Sequence, residues 1–160
     1  MNVINESRII TTLVSEDTED TSAKIRVAIT DSPIDITVSG AFVEACIQCS
    51  EFVLVFTTNN CPFEETLNIT LVDYGNSVLD SASLFWPYST GAFAISGLVE
   101  PNKVIFEFLG DKQWQIEVLD NPAIYIPLLS EPSGSWRQFK FKRHFRISQL
   151  ASVLGTPPNS

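Results

Sequence analysis

The sequence predicts a mainly β fold, a single-domain antiparallel β-sandwich or barrel with one or two short helices, and an α+β fold is the alternative. Apolar and polar residues alternate along much of the chain, which is typical of strands with one buried face. Turn-forming residues separate these segments at hairpin spacing. The 160 residues are 44% hydrophobic and 18% charged, which excludes disorder. No change in composition marks a boundary, so residues 1–160 are expected to form one domain.

Seven segments with this alternation are predicted strands. They are 25–29, 34–38, 67–71, 93–99, 104–108, 114–118 and 124–128. The last four are joined by short loop sequences, including Asp120-Asn121-Pro122, so the region 92–128 is predicted to form an antiparallel meander. A final strand is expected around 139–147, with its phenylalanines and Arg143 facing inward and the other basic residues facing outward.

Helices are predicted at only two places. Residues 41–50 follow Gly40 and could form a short helix, and residues 147–154 could form another, ended by Gly155 and the prolines after it. The acidic stretch 15–22 is expected to be a mobile loop between strands. Residues 156–160 are expected to be a frayed tail.

Charge is distributed unevenly along the chain, whose net charge is −9. Residues 137–160 hold five basic side chains and no acid, whereas residues 1–136 hold five bases against all 19 acids, a net −14. On the predicted last strand Lys140, Lys142 and Arg146 form an outward-facing basic ridge. The net negative charge of residues 1–136 favours a basic protein partner, because electrostatic complementarity steers association. Solubility alone is the simpler explanation of such acidity.

Nucleic acid is an unfavourable partner for the whole chain. The segment 136–146 interleaves aromatic and basic residues, as single-strand binding grooves do. On a strand, however, the two kinds of side chain face opposite ways, and the acidic total repels phosphates. Nucleic-acid binding is therefore not expected.

The sequence indicates a cytoplasmic protein. Its first residues lack the basic and apolar regions of a signal peptide. The longest uninterrupted apolar run, 52–56, is far shorter than the roughly 20 residues of a membrane-spanning helix. Three cysteines do not form a disulfide framework, which fits a reducing compartment.

Cys46 and Cys49 form the one short motif with a recognised chemistry, because two thiols three residues apart can share a metal ion or a disulfide. A helical turn would place both on one face, whereas a strand would place them on opposite faces. Cys61 and His144 would have to complete a zinc site, which would use every cysteine and the sole histidine. The motif is a weak metal candidate, and neither a metal nor a cofactor is expected.

Catalytic patterns are also missing from the sequence. His144 is the only histidine, and no acid lies near it in the chain to orient it as a base. The adjacent acidic pairs fall in expected loops or diverge on a strand, so they predict no catalytic carboxylate pair. No glycine-rich phosphate loop is present. The chain is therefore not expected to be an enzyme.

Two functions remain as hypotheses. The first is a non-catalytic acidic module that neutralises a basic protein, such as a toxin domain, in the manner of a bacterial immunity protein or antitoxin. The acids expected to contact such a partner are Glu16, Asp17, Glu19, Asp20, Glu64 and Glu65. The alternative is a β-barrel that holds an apolar ligand among its aromatic residues. The sequence does not predict an oligomeric state.

Overall fold

The computed structural model describes residues 1–61, 64–89, 91–110, 112–124, 132–137 and 142–151, which form strands and one 3-10 turn at Glu6–Arg8. The strands, in chain order, are β1 (Asn2–Val3), β2 (Ile9–Ser15), β3 (Lys24–Ile29), β4 (Asp35–Ser39), β5 (Phe42–Gln48), β6 (Phe52–Thr58), β7 (Thr66–Asp73), β8 (Val78–Phe85), β9 (Ala94–Val99), β10 (Lys103–Glu107), β11 (Gln113–Ile124), β12 (Ser135–Trp136) and β13 (Lys142–Gln149). The predicted mainly β class is confirmed.

Within the described residues, the strand pairs are all antiparallel and form three sheets. Sheet A has the order β1-β5-β6-β7-β8-β12, sheet B has β2-β3-β4, and sheet C has β13-β11-β10-β9. The predicted meander over 92–128 corresponds to β9, β10 and β11, which lie side by side in sheet C.

Sheet A lies between the other two sheets, because apolar side chains on both of its faces pack against them. On one face Leu54, Phe56 and Ile69 belong to the same buried cluster as Phe106 and Trp114 of sheet C. On the other face Val53, Val55 and Val72 share a cluster with residues of sheet B, among them Ile25, Val27 and Val38. The molecule is therefore a β-sandwich with three layers, and its middle layer is buried on both sides.

The barrel alternative is wrong for the part of the chain described, because each of the three sheets has two free edges. The space between sheets A and C is filled by aromatic side chains. The rings of Phe56, Phe93 and Phe106 lie 5.0–5.7 Å apart between centroids. Trp114 is fully buried, and its indole nitrogen donates to the Phe108 carbonyl over 2.9 Å. These rings occupy the interior that an apolar ligand would need.

Both predicted helices are wrong, and the described residues contain no α-helix, which also removes the α+β alternative. Residues 42–48 form β5 instead. Apolar residues occupy both odd and even positions there, because β5 is buried on both faces. A bulge at Glu44 interrupts the alternation further. Residues 147–149 continue β13, where Ile147 pairs with Ile116 of β11. Residues 152–154 and the predicted tail 156–160 lie outside the described residues.

The predicted turn at Asp120-Asn121-Pro122 is also wrong. β11 runs through this sequence to Ile124, with an irregular register between Val118 and Ala123. Since a bulge leaves residues without a partner, it accommodates the proline that has no N–H to donate. Of the strand predicted over 124–128, only Ile124 lies within the described residues.

A buried charged group joins sheets A and C at one edge. The side chain of Asp80, on β8, is fully buried and accepts hydrogen bonds from Arg137 and from the His144 backbone nitrogen at 2.8 Å. Arg143 lies 3.4 Å from the same carboxylate. Arg137 also donates to the Phe145 carbonyl over 3.0 Å and stacks on the Phe145 ring. Asp80 therefore holds β8, the residue after β12 and β13 together.

We predict that Asp80→Asn lowers the free energy of unfolding by about 3–5 kcal/mol, because it leaves buried guanidinium groups without their carboxylate. Urea unfolding followed by tryptophan fluorescence measures the change. Asp120→Asn removes an exposed acid from β11 and should change stability by less than about 0.5 kcal/mol. Equal effects of the two substitutions would contradict a structural role for Asp80.

Candidate functional site

The acidic segment between β2 and β3 folds back on itself. Thr18 accepts a hydrogen bond from the Thr21 backbone nitrogen at 3.1 Å, and the backbone of Thr18 donates to the Thr21 carbonyl at 2.9 Å. Asp17 accepts from the Ala23 nitrogen at 3.2 Å. The strands end at Ser15 and resume at Lys24, so the loop predicted over 15–22 occupies residues 16–23.

This acidic loop meets the end of sheet A and encloses a surface groove of about 490 Å³, which we call the acidic groove. Four carboxylates line it, and they are Asp17, Glu19, Asp20 and Glu64. The structure thus brings Glu64, which precedes β7, beside acids more than 40 residues away in the chain. Four of the six acids expected to contact a partner line one groove.

The other two acids are placed differently. Glu16 is exposed but is not among the lining residues of the acidic groove. Glu65 is half-buried, and its Oε1 accepts hydrogen bonds from the backbone nitrogens of Asn59 at 2.8 Å and Thr66 at 3.0 Å. Glu65 therefore stabilises the connection between β6 and β7.

A row of polar side chains continues the acidic groove across sheet A. Asn68 pairs with Ser83, as Thr70 does with Ser81. Ser83 donates to the Asn68 side-chain oxygen at 2.9 Å, and Asn68 donates to the Asn59 side chain at 2.9 Å. A small pocket of about 80 Å³ lies over this row. Since side chains alternate along a strand, this row shares a face with Thr66 and Phe85 of the acidic groove.

Two exposed aromatic residues flank the same face. Phe85 lines the acidic groove and is 37% exposed. Trp136 of β12 pairs with Ser83 of β8, lines the small pocket and is 64% exposed. The sequence pattern does not distinguish these two aromatic residues, because Phe85 resembles a core residue and Trp136 adjoins the basic segment. Carboxylates and exposed aromatic rings therefore lie on the same side of sheet A, and Asn68 and Thr70 of the polar row between them are buried.

The basic residues lie on a different layer. Lys142 and Arg146 are exposed on β13 of sheet C, and Arg146 pairs with Glu117 of β11. Arg143 is buried beside Asp80, on the inward face that the sequence predicted. Lys140 lies outside the described residues. Because sheet C covers the face of sheet A opposite to sheet B, the two exposed bases and the acidic groove are on opposite sides of the molecule.

The cysteine pair does not form a site. Cys46 belongs to the cluster between sheets A and B, whereas Cys49 belongs to the cluster between sheets A and C, so the two thiols face opposite ways. Burial raises the pKa of Cys46 to about 12 and that of Cys49 to about 11. Within the described residues, no group of three or more His, Cys, Asp or Glu side chains is arranged to hold a metal ion.

Comparisons with protein-family models, curated proteins and solved structures found no match. The described residues contain no helix with the length and apolarity needed to cross a membrane. The site is therefore interpreted from its own geometry, which combines four carboxylates, a polar row and two exposed aromatic rings.

We predict that a thiol reagent at pH 8 modifies Cys61 much faster than Cys46 or Cys49 in the folded protein. Only the thiolate reacts, and pKa values of about 11 and about 12 leave roughly one thiol in a thousand and one in ten thousand ionised at this pH. Cys61 is half-buried and free. Mass spectrometry of the modified peptides measures the order, and rapid modification of Cys46 would contradict the buried placement.

Proposed function

We propose that this chain is a non-catalytic module that binds a basic protein and neutralises it, in the manner of a bacterial immunity protein or antitoxin. The observation that carries this proposal is the convergence of Asp17, Glu19, Asp20 and Glu64 on one groove. In a chain with net charge −9, such a groove concentrates negative potential where a partner can enter.

The uneven distribution of charge over the molecule supports an oriented complex. Lys142 and Arg146 are exposed on sheet C, on the far side of sheet A from the acidic groove. A basic partner is therefore attracted more strongly to the acidic groove than to the side that carries Lys142 and Arg146, which raises the rate of productive encounters. Nucleic acid would experience the opposite preference and would meet the acidic majority of the surface.

The exposed aromatic residues would slow the dissociation of a complex, which charge alone does not do. Rim charges mainly set the association rate, whereas buried aromatic anchors slow dissociation. Trp136 and Phe85 lie on the same face as the acidic groove, and both rings are exposed, at 64% and 37%. A partner that places basic residues in the acidic groove would cover both rings.

The direct test screens candidate basic proteins encoded by neighbouring genes, with binding measured by stopped-flow fluorescence at low and high salt. The variant E19Q/D20N/E64Q should slow association about tenfold at low salt, since it removes three charges from the acidic groove. The control D31N/E51Q/D120N removes three exposed charges elsewhere and should change the rate less than twofold. No complex at low salt, or equal effects of the two triple variants, would contradict the proposal.

A second prediction concerns the aromatic anchor. Trp136→Ala should speed dissociation about 30-fold with little effect on association, which corresponds to about 2 kcal/mol for a typical interface anchor. Tyr88→Ala is the matched control, because Tyr88 is 91% exposed and lines neither the acidic groove nor the small pocket. Surface plasmon resonance separates the two rate constants, and an unchanged dissociation rate for the Trp136 variant would exclude this side chain from the interface.

A further inference from the structure

The outer edge of sheet A at β5 is only partly paired. The short strand β1 pairs with Gln48 and Ile47 alone, and Ile4 then donates to the Cys46 carbonyl at 2.8 Å. The chain next leaves sheet A through the turn Glu6–Arg8 and enters sheet B as β2. Over Phe42–Ala45, β5 therefore pairs with β6 along one edge. Among the described residues, no strand pairs with its other edge there.

Sheet B extends beyond this edge by one strand. Ile25 and Val27 of β3 are buried against sheet A, in the cluster that contains Cys46 and Val55. Leu13 of β2 pairs with Ile25 and shares its face, yet it is 47% exposed. The inner face of β2 therefore overhangs the position where a strand added to β5 would lie.

An apolar groove of about 400 Å³ occupies this position, and we call it the edge groove. Its lining residues come from the 3-10 turn, β2, β3 and β5, and they are Glu6, Ile9, Thr11, Leu13, Ile25, Ala41, Phe42, Val43 and Glu44. Unpaired strand edges are templates for strand addition, because an incoming backbone can hydrogen-bond to them. The overhanging side chains of β2 would cover one face of such a strand.

We propose that the edge groove binds an extended segment of a partner protein, in which apolar residues alternate with Lys or Arg, as an added strand of sheet A. The period of two along a strand sends every second side chain toward Ile9 and Leu13, which favours apolar residues there. Both ionisable groups of the edge groove are acidic, Glu6 and Glu44, which favours basic residues at the remaining positions. A second copy of this chain is disfavoured, since each copy carries −9 and would present the same two acids.

This site is distinct from the acidic groove and does not depend on the function proposed for it. The two surfaces have no lining residue in common, and the edge groove is lined mainly by apolar side chains of β2 and β5. Binding here would rest on backbone hydrogen bonds and apolar contact, whereas the acidic groove attracts mainly through charge.

The test uses the full chain and four capped peptides of about ten residues, in which Lys alternates with Val, Ile, Phe or Tyr. Amide hydrogen exchange followed by NMR should show that at least one peptide slows exchange over residues 43–45 about tenfold. The same peptide with N-methyl groups on alternate residues should lose this effect, because its backbone can no longer donate. Failure of all four peptides to slow exchange at β5 would overturn the proposal.

Two matched variants on β2 locate the binding surface. Leu13→Lys places a charge in the edge groove and should weaken peptide binding about tenfold, whereas Ile10→Lys adds the same charge on the opposite face and should change it less than twofold. Both side chains are already exposed, at 47% and 59%, so both variants should fold. Equal weakening by the two variants, or a dimer of the unliganded chain that Leu13→Lys dissolves, would overturn the proposal. The variant E19Q/D20N/E64Q should retain slowed exchange at β5, which distinguishes this site from the acidic groove.

Discussion

The burial of sheet A on both faces is the constraint on which the rest of the structure depends. β6 and β7 contribute apolar side chains alternately to the two clusters, so neither strand has a free face over most of its length. Polar side chains on these strands are buried as well, among them Thr57, Asn68 and Thr70. Val72 belongs to the cluster with sheet B, whereas Thr70 and Asn68 on the same face do not. On this face of β7, buried polar contact therefore replaces apolar contact between Val72 and Thr66, which lines the acidic groove.

The same constraint explains which strands the sequence could predict. Sheets B and C have one face toward solvent, so β3 and β10 alternate cleanly between buried and less buried residues. In sheet A the alternation disappears, because a doubly buried strand is a continuous apolar run. The run 52–56 belongs to β6, and its uninterrupted apolarity hides the alternation by which a strand is predicted. The same effect made 41–50 resemble a helix.

The candidate site was predictable only in part. The acids of residues 16–20 were visible as a charged stretch, but their position beside Glu64 depends on how β2 and β3 pack over sheet A. Glu65 could not be separated from Glu64 by residue type, since only the fold turns its carboxylate toward backbone nitrogens. Asp80 gave no signal either, because Arg137 and Arg143 are 57 and 63 residues away in the chain. Interactions at such separations follow from topology and not from local pattern.

The central functional claim is that one side of the molecule, formed by the acidic loop, β8 and β12, contacts a basic protein. Hydrogen–deuterium exchange of the complex against the free chain tests it most directly, since it maps contact without altering any residue. Slowed exchange over 16–22, 83–85 and 135–136, with β13 unchanged, is the predicted result. Protection confined to β13, where Lys142 and Arg146 are exposed, would contradict the claim.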